Sequence, residues 1–355
     1  MEFKIGEKWV GDNRPTYFIA DIAANHDGDL NRAKTLIRLA KEAGADAAKF
    51  QNFTAEKIVS DEGFKSMGGQ QSHQSAWKKS VFKVYEEASV PFDWTPVLKE
   101  TCDEYGIEYF SSPYDFEAID RLDDYMPAYK IGSGEIDWLE ALERMALKGK
   151  PVLLATGAST IGEIQQAVHT ILAVNKQLVL MQCNTNYTAS LENFNYIHLN
   201  VLETYRTMFP DVILGLSDHT PGHATVLGAV ALGARVIEKH FTDDTTREGP
   251  DHKFAMDPDA WSAMVENTRR LENALGSADK FVAGNEKDTV IIQRRCIRAA
   301  RDLSAGETLA REMIDVLRPA VPGGIKPDQI SAVLGMKVLS DIPRGREIRW
   351  GDLAV

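Results

Sequence analysis

The chain carries only three cysteines in 355 residues, Cys102, Cys183 and Cys296, and no two are close in sequence. Without a C-x-x-C pair, neither a zinc ribbon nor a disulfide framework is supported. Long apolar runs are missing as well. The longest uncharged apolar stretch, 220–234, is broken by Pro221, Gly222 and His223 and is too short to span a bilayer. The N-terminal residues Met1-Glu2-Phe3-Lys4 lack the apolar core of a signal segment. There is no basic surplus: 40 Lys and Arg face 52 Asp and Glu, for a net charge of −12. A nucleic-acid platform needs a basic stripe, so that class is excluded. An anionic small substrate is not excluded, because a few lysines can be focused locally in an acidic protein. The expectation is a soluble, cytoplasmic protein that binds neither membrane nor nucleic acid. With 44% apolar and 26% charged residues the chain is ordinary globular material rather than a disordered one.

Short apolar runs recur along the first three quarters of the chain, at 17–23, 45–50, 108–112, 128–131, 151–155, 178–183, 212–216 and 235–240. Segments of helical period lie between them, at 31–43, 95–105, 161–174, 224–233 and 258–275. Gly44 and Gly106 follow two of these helices, and Pro258 suits a first turn. Eight strands alternating with helices predict an α/β fold, a (β/α)8 TIM barrel. The runner-up is an open doubly wound sheet, but no Gly-rich dinucleotide loop accompanies the first strand. The barrel is expected over 1–282, a polar linker over 283–290, and a small separate domain over 291–355. In that last segment short strand-like pieces alternate with Gly- and Pro-rich turns. Asp302-Leu303-Ser304-Ala305-Gly306 and Asp341-Ile342-Pro343-Arg344-Gly345 form a weak internal repeat. The long connection 54–91 between the second and third strands reads as a lid or binding loop.

Buried barrel strands should end in apolar residues or turn formers. Here the ends read Asp21…Asn25-His26, Lys49-Phe50-Gln51, Ser111-Ser112, Lys130…Ser133…Glu135, Thr156-Gly157, Cys183…Thr185…Tyr187, Ser217-Asp218-His219 and Glu238-Lys239-His240. In a barrel enzyme these ends form the active-site face. A period of two puts Asp21 with Asn25, Lys49 with Gln51, Thr185 with Tyr187, Ser217 with His219, and Glu238 with His240 on common faces. A register that turns these pairs inward gathers them in one cup.

His219 and His240, on neighbouring strand ends beside Asp218 and Glu238, could both reach one divalent ion such as Mn2+, Mg2+, Co2+ or Zn2+. They could equally be hydrogen-bonded structural histidines. Lys49 and Lys130, with Ser112, Ser133, Ser217 and the Gly132-Ser133-Gly134 turn, make a candidate phosphate cradle. Either lysine could instead form a Schiff base, as in covalent aldolases. A non-catalytic carbohydrate- or ice-binding protein built around the small domain is a third reading.

Several motifs closely resemble those of the sialic acid (nonulosonate) synthases. They are Asp21…Asn25-His26-Asp27-Gly28, Lys49-Phe50-Gln51, Lys130-Ile131-Gly132-Ser133-Gly134-Glu135, Gly215-Leu216-Ser217-Asp218-His219-Thr220, Glu238-Lys239-His240-Phe241-Thr242 and Gly249-Pro250-Asp251-His252. The C-terminal part is similar to that family's antifreeze-like (SAF) domain through Arg298-Ala299-Ala300-Arg301-Asp302, Ala305-Gly306-Glu307 and Leu317-Arg318-Pro319. The resemblance covers essentially the whole chain in order. It implies a metal-dependent condensation of phosphoenolpyruvate with an open-chain N-acylated hexose, N-acetylmannosamine in the first place, and with legionaminate- or pseudaminate-type sugars as alternatives. The ion, Mn2+ first and Mg2+ or Co2+ as alternatives, would sit on His219 and His240. Lys49, Ser112, Lys130, Ser133, Thr185 and Ser217 match phosphoenolpyruvate contacts, and Gln51, Tyr187, Asp251 and Arg318 match sugar contacts. Asp21, Lys49, Lys130, Glu238 and Arg318 match the reacting machinery. Arg318 is further implied to enter the barrel of a partner subunit, in a homodimer with domain exchange. The chain departs from the family at Asp21, where Glu is usual, at Ala155, where Ser is common, and at Thr188, where Pro is common. It departs again in the 54–91 connection with Ser72-His73-Gln74 and Trp77.

Overall fold

A computed structural model describes residues 1–70, 74–75 and 77–355. Ser72 and His73 of the long connection lie outside the described residues. The chain divides into two units, Met1–Gly276 and Ser277–Val355.

The first unit opens with an antiparallel hairpin, β1 (Glu2–Ile5) and β2 (Lys8–Gly11). Eight parallel strands follow: β3 (Tyr17–Asp21), β4 (Ala47–Asn52), β5 (Glu108–Pro113), β6 (Tyr129–Ile131), β7 (Val152–Ala155), β8 (Leu178–Cys183), β9 (Ile213–Asp218) and β10 (Val236–His240). Their order is β5-β4-β3-β10-β9-β8-β7-β6, so the last strand pairs with the first. β5 and β6 lie side by side across the remaining seam. This is the nearly closed (β/α)8 barrel, not the doubly wound sheet. Helix α1 (Leu30–Glu42) follows β3. The long connection after β4 carries α2 (Ala55–Ile58), α3 (Asp61–Ser66) and α4 (Val81–Ala88), and then α5 (Trp94–Tyr105) returns to β5. Later crossovers carry α6 (Phe116–Leu122), α7 (Leu139–Ala146), α8 (Ile161–Val174), α9 (Val201–Met208) and α10 (Ala224–Ala231), and α11 (Pro258–Leu275) follows β10.

The strands are buried on both faces, which is why they read as apolar runs without alternation. Inside the barrel, Ile19, Ala47, Phe110, Leu153, Met181 and Val236 pack in one cluster with Phe3, Ile5 and Val10 of the hairpin. The hairpin therefore plugs the N-terminal end, and the polar cup lies at the other. The crossover helices bury their apolar stripes against the outer faces of the strands in a larger cluster. Asp29 caps α1 through the amides of Asn31 and Arg32, and Thr160 with Glu163 forms a capping box on α8.

The second unit begins with an irregular stretch and the short helix α12 (Lys287–Gln293), where the sequence suggested a linker. Strand β11 (Cys296–Ala299) pairs with β12 (Ile314–Leu317), and β13 (Lys337–Val338) pairs with β14 (Leu353–Ala354). The internal repeat acquires a physical meaning here. Leu303 and Ile342 exchange backbone hydrogen bonds of 2.9 and 2.8 Å. Asp302 caps the amide of Arg344, and Asp341 caps that of Ala305. Gly306 and Gly345 both adopt left-handed φ, at 88° and 83°, which ends each turn. The two copies thus cap each other, and Ile297, Leu303, Leu309, Ile342 and Ile348 form this unit's own core.

Candidate active site

The C-terminal ends of the barrel strands converge on one cavity. Its lining includes Asp21, Lys49, Gln51, Lys130, Glu238 and His240, with Ser112, Ser133, Ser217, His219 and Tyr187 around them. Strand alternation explains the selection. Lys49 and Gln51 on β4, Ser217 and His219 on and after β9, and Glu238 and His240 on β10 all point inward.

Buried ion pairs organise the charges. Lys49 Nζ lies 2.6 Å from Asp21 Oδ2 and 3.8 Å from Glu238 Oε2, and Lys130 Nζ lies 3.3 Å from Glu238 Oε1. Ser217 also donates to Glu238, at 3.1 Å. Burial alone would raise the Glu238 carboxyl, but Lys130 and Lys49 outweigh it and hold it near about 2. Lys49 stays cationic, since Asp21 and Glu238 more than offset its burial. Asp21 is pushed above the usual carboxylate range: burial, reinforced by Glu238, exceeds the pull of Lys49. Asp251 is pushed further, to about 7, mainly by burial.

The two histidine rings stand 5.4 Å apart, centroid to centroid. Tyr187 packs 4.4 Å from His219, and Phe254 packs 4.8 Å from His240, so both imidazoles are shielded from water. Burial lowers both histidines to about 3, with His240 adding to the effect on His219 and Lys49 to that on His240. They are neutral at ordinary pH. His219 Nδ1 meets the Asn184 carbonyl at 3.1 Å, which leaves the other ring nitrogen available. Among the described residues His240 Nδ1 is buried without a hydrogen-bond partner, with Asp251 Oδ2 at 3.9 Å, while its Nε2 lies 3.7 Å from Asp21 Oδ2.

Some strand-end residues go elsewhere. Asn25 does not share the cup with Asp21, because Ala23 at φ 44° breaks the alternation; its Nδ2 donates to the Phe241 carbonyl instead. Asp218 faces the opposite side of β9 from Ser217 and pairs with Lys239 at 2.5 Å. Thr185 sits beside the cup, against Cys183 and Gly157, rather than lining it. Gly157 also donates to Ser133 Oγ at 2.9 Å, and the same hydroxyl hydrogen-bonds the Cys183 thiol. Asp251 is tied to the loop after β3 by the Ala24 amide at 3.1 Å. Arg318 belongs to the second unit, where its Nε donates to the Gln293 carbonyl at 2.7 Å.

The sequence reading missed Tyr114 and Phe254. Tyr114 directly follows the β5 end and lines the cavity, so its position was the signal. Phe254 follows a loop and gave none. Also missed was the network beneath Asp251: His252 meets Thr242 Oγ1 at 2.8 Å and Asp27 Oδ1 at 2.9 Å, and Arg247 and Arg32 pair with the same Asp27.

A nearly closed barrel with a charged cup at its C-terminal strand ends has the architecture of a (β/α)8 enzyme. The chain belongs to the NeuB family: that family's pattern matches residues 36–280, and the SAF domain matches 294–354. It is 34% identical over 351 residues to the N,N'-diacetyllegionaminic acid synthase of Legionella pneumophila, covering 97% of this chain and 96% of that one. It is 32% identical over 336 residues to the N-acetylneuraminate-9-phosphate synthase of Mus musculus, covering 94% and 92%. Among solved structures, the sialic acid synthetase of Leptospira borgpetersenii in complex with citrate superposes with a TM-score of 0.71 at 28% identity, covering 82% of this chain and 95% of that one.

Proposed function

We propose that this chain condenses phosphoenolpyruvate with an open-chain N-acylated hexose and water, giving a nine-carbon 3-deoxy-2-ulosonic acid and phosphate. The observation that carries the reading is the convergence of two buried lysines on one carboxylate, Glu238, beside a pair of neutral histidines. The family and the names of the relatives support it. N-acetylmannosamine is the first candidate sugar; diacylamino hexoses of the legionaminate or pseudaminate type are the alternatives.

Lys49 and Lys130, with Ser112, Ser133 and Ser217, would hold the phosphate and carboxylate of phosphoenolpyruvate and offset charge as phosphate leaves. Carbon C3 attacks the sugar aldehyde, water adds at C2, and the tetrahedral intermediate loses phosphate by C–O cleavage. Asp21, with its raised carboxyl next to Lys49, would take the proton of that water. Gln51, which donates to Asp21 at 3.3 Å, together with Tyr187 and Asp251, would orient the sugar.

The residues fit a divalent ion. Two neutral imidazoles are in place, one with an unpartnered buried nitrogen, and Asp21 and Asp251 are near. Among the described residues no three His, Cys, Asp or Glu side chains are gathered as a ready ligand set. Such an ion, Mn2+ first, would polarise the aldehyde oxygen. A Schiff-base aldolase is the weaker reading, because it needs a neutral amine and Lys49 is held as an ammonium.

Phosphate release from phosphoenolpyruvate, measured with Mn2+ and a panel of 2-acylamino and 2,4-diacylamino hexoses, tests the reaction. Release with at least one sugar, abolished by EDTA and restored by metal, is expected. Silence across the panel would sink it.

A further inference from the structure

Asp251 and Phe254 flank one tight turn, His252–Phe254, in the loop after β10. The turn brings Asp251 Oδ2 to 3.9 Å from His240 Nδ1 and packs the Phe254 ring 4.8 Å from His240 and 5.4 Å from Tyr187. Where this turn sits therefore decides what stands beside His240. His252 does not line the cup, and it is fully buried.

Both nitrogens of His252 are engaged. Nε2 lies 2.9 Å from Asp27 Oδ1, and Nδ1 lies 2.8 Å from Thr242 Oγ1. The other Asp27 oxygen, Oδ2, accepts from Arg247 at 2.7 and 3.0 Å and lies 3.1 Å from Arg32 Nε. With two guanidinium groups on one oxygen, the carboxylate accepts at the other. Nε2 then carries the proton, and Nδ1 accepts from the Thr242 hydroxyl. The ring is fixed at both ends, as a carboxylate and a hydroxyl fix any histidine between them.

The seat is built closely. A Cβ at position 249, now Gly249, would lie 2.6 Å from His252 Cδ2. Asp27 holds its place at φ 52°, in the left-handed region that few residues other than glycine adopt. Backbone of this kind persists where its surroundings over-determine it. Here α1 supplies Arg32, and the loop after β10 supplies Arg247 and His252. The loop after β3 also has anchors of its own: Asn25 donates to the Phe241 carbonyl at 2.9 Å, and His26 Nε2 meets the Ala88 carbonyl at 3.2 Å. Removing the Asp27 charge thus leaves that loop in place and releases the turn at His252.

We infer that Asp27 and His252 are positioning residues for the condensation, acting through Asp251: they fix the turn that presents the Asp251 carboxyl to the sugar. The inference rests on the proposed reaction and adds to it two residues that line no part of the cup.

The experiment uses the full chain with Mn2+, phosphoenolpyruvate and the sugar that gives most phosphate release. Asp27→Asn keeps the size of the side chain and a residue type that tolerates left-handed φ, and removes the charge. It should raise KM for the sugar by about tenfold, the worth of one hydrogen bond to a charged group, and leave KM for phosphoenolpyruvate unchanged. Thr242→Val removes only the hydroxyl at Nδ1 and should raise the sugar KM by about fivefold; it decides the question if Asp27→Asn folds poorly. A merely structural weakening would lower the active fraction, and so kcat, without moving either KM. Asp251→Asn should itself raise the sugar KM, and adding Asp27→Asn to it should raise it no further, because the effect passes through Asp251. Wild-type sugar KM in both single variants, a parallel rise in both KM values, or a full additional rise in the double variant would overturn the inference and leave the reaction standing. No phosphate release by the wild type with any sugar would overturn both.

Discussion

Lys49, Lys130 and Lys239 are all buried, yet their partners give them different work. Lys49 and Lys130 share Glu238 and face an open cup, so an incoming anion can add to their partners. Lys239 is closed off. It pairs with Asp218 at 2.5 Å and also donates to the Thr220 carbonyl. Asp218 in turn accepts from the Thr220 amide and from the hydroxyls of Thr220 and Thr225. A buried pair of this kind contributes little net stability against an apolar substitute, but breaking it strands a charge. Lys239→Met should therefore cost about 3–5 kcal/mol in denaturant unfolding. Lys130→Met leaves Glu238 still held by Lys49 and Ser217, so it should abolish turnover at a cost below about 2 kcal/mol. Equal costs for the two variants would contradict this division of roles.

At the scale of elements, α1 does more than cover the barrel. Its Arg32 donates to the Asn25 carbonyl at 2.7 Å and forks onto Asp243 at 2.5 and 2.8 Å. It thereby ties the loop after β3 to the loop after β10, the two loops that meet at Asp251. Burial would raise the Asp243 carboxyl, but the Arg32 hydrogen bonds and charge keep it below its ordinary value of 3.8. A carboxyl depressed in the folded state adds stability that is complete above the unfolded value and fades as pH falls through the folded one. Asp243→Asn should thus cost about 1–2 kcal/mol at neutral pH. The two proteins should converge as pH drops below 3.8, which unfolding midpoints across pH will show. A constant difference across that range would mean packing, not charge, is lost. These loops also mark what was legible beforehand. All eight strands could be placed because parallel strands buried on both faces leave unbroken apolar runs, with Gly44 and Gly106 ending the helices between them. Which polar strand-end residue faces the cup was readable only within the strands, where alternation holds. It failed at Asn25, past a left-handed Ala23, and for Phe254, which a long connection delivers against His240. The plugging hairpin escaped because Phe3, Ile5 and Val10 are too few to show a period.

For the whole molecule, the two units have separate cores, and each can carry a residue the reaction needs. The net charge of −12 therefore says little about the substrate: the lysines that matter are two of forty basic residues, buried where the acidic surface does not reach. Arg318 is the one proposed site residue outside the barrel unit, and the family resemblance assigns it to the barrel of a second subunit. That arrangement has a consequence that activity loss alone does not reveal. Arg318→Ala keeps an intact barrel and lacks the arginine; Lys130→Met keeps the arginine and lacks a working barrel. If the small domain is exchanged within a homodimer, a mixed dimer unites the intact barrel of the first chain with the intact Arg318 of the second. Each mixed dimer then holds one complete site and one doubly defective one. Refolding the two inactive variants together in equal amounts should restore about a quarter of wild-type activity per barrel, since random assortment makes half of the dimers mixed. If Arg318 serves its own barrel, no combination contains a complete site and the mixture stays as inactive as its parts. Phosphate release from the mixture, measured against each variant refolded alone, separates the two cases.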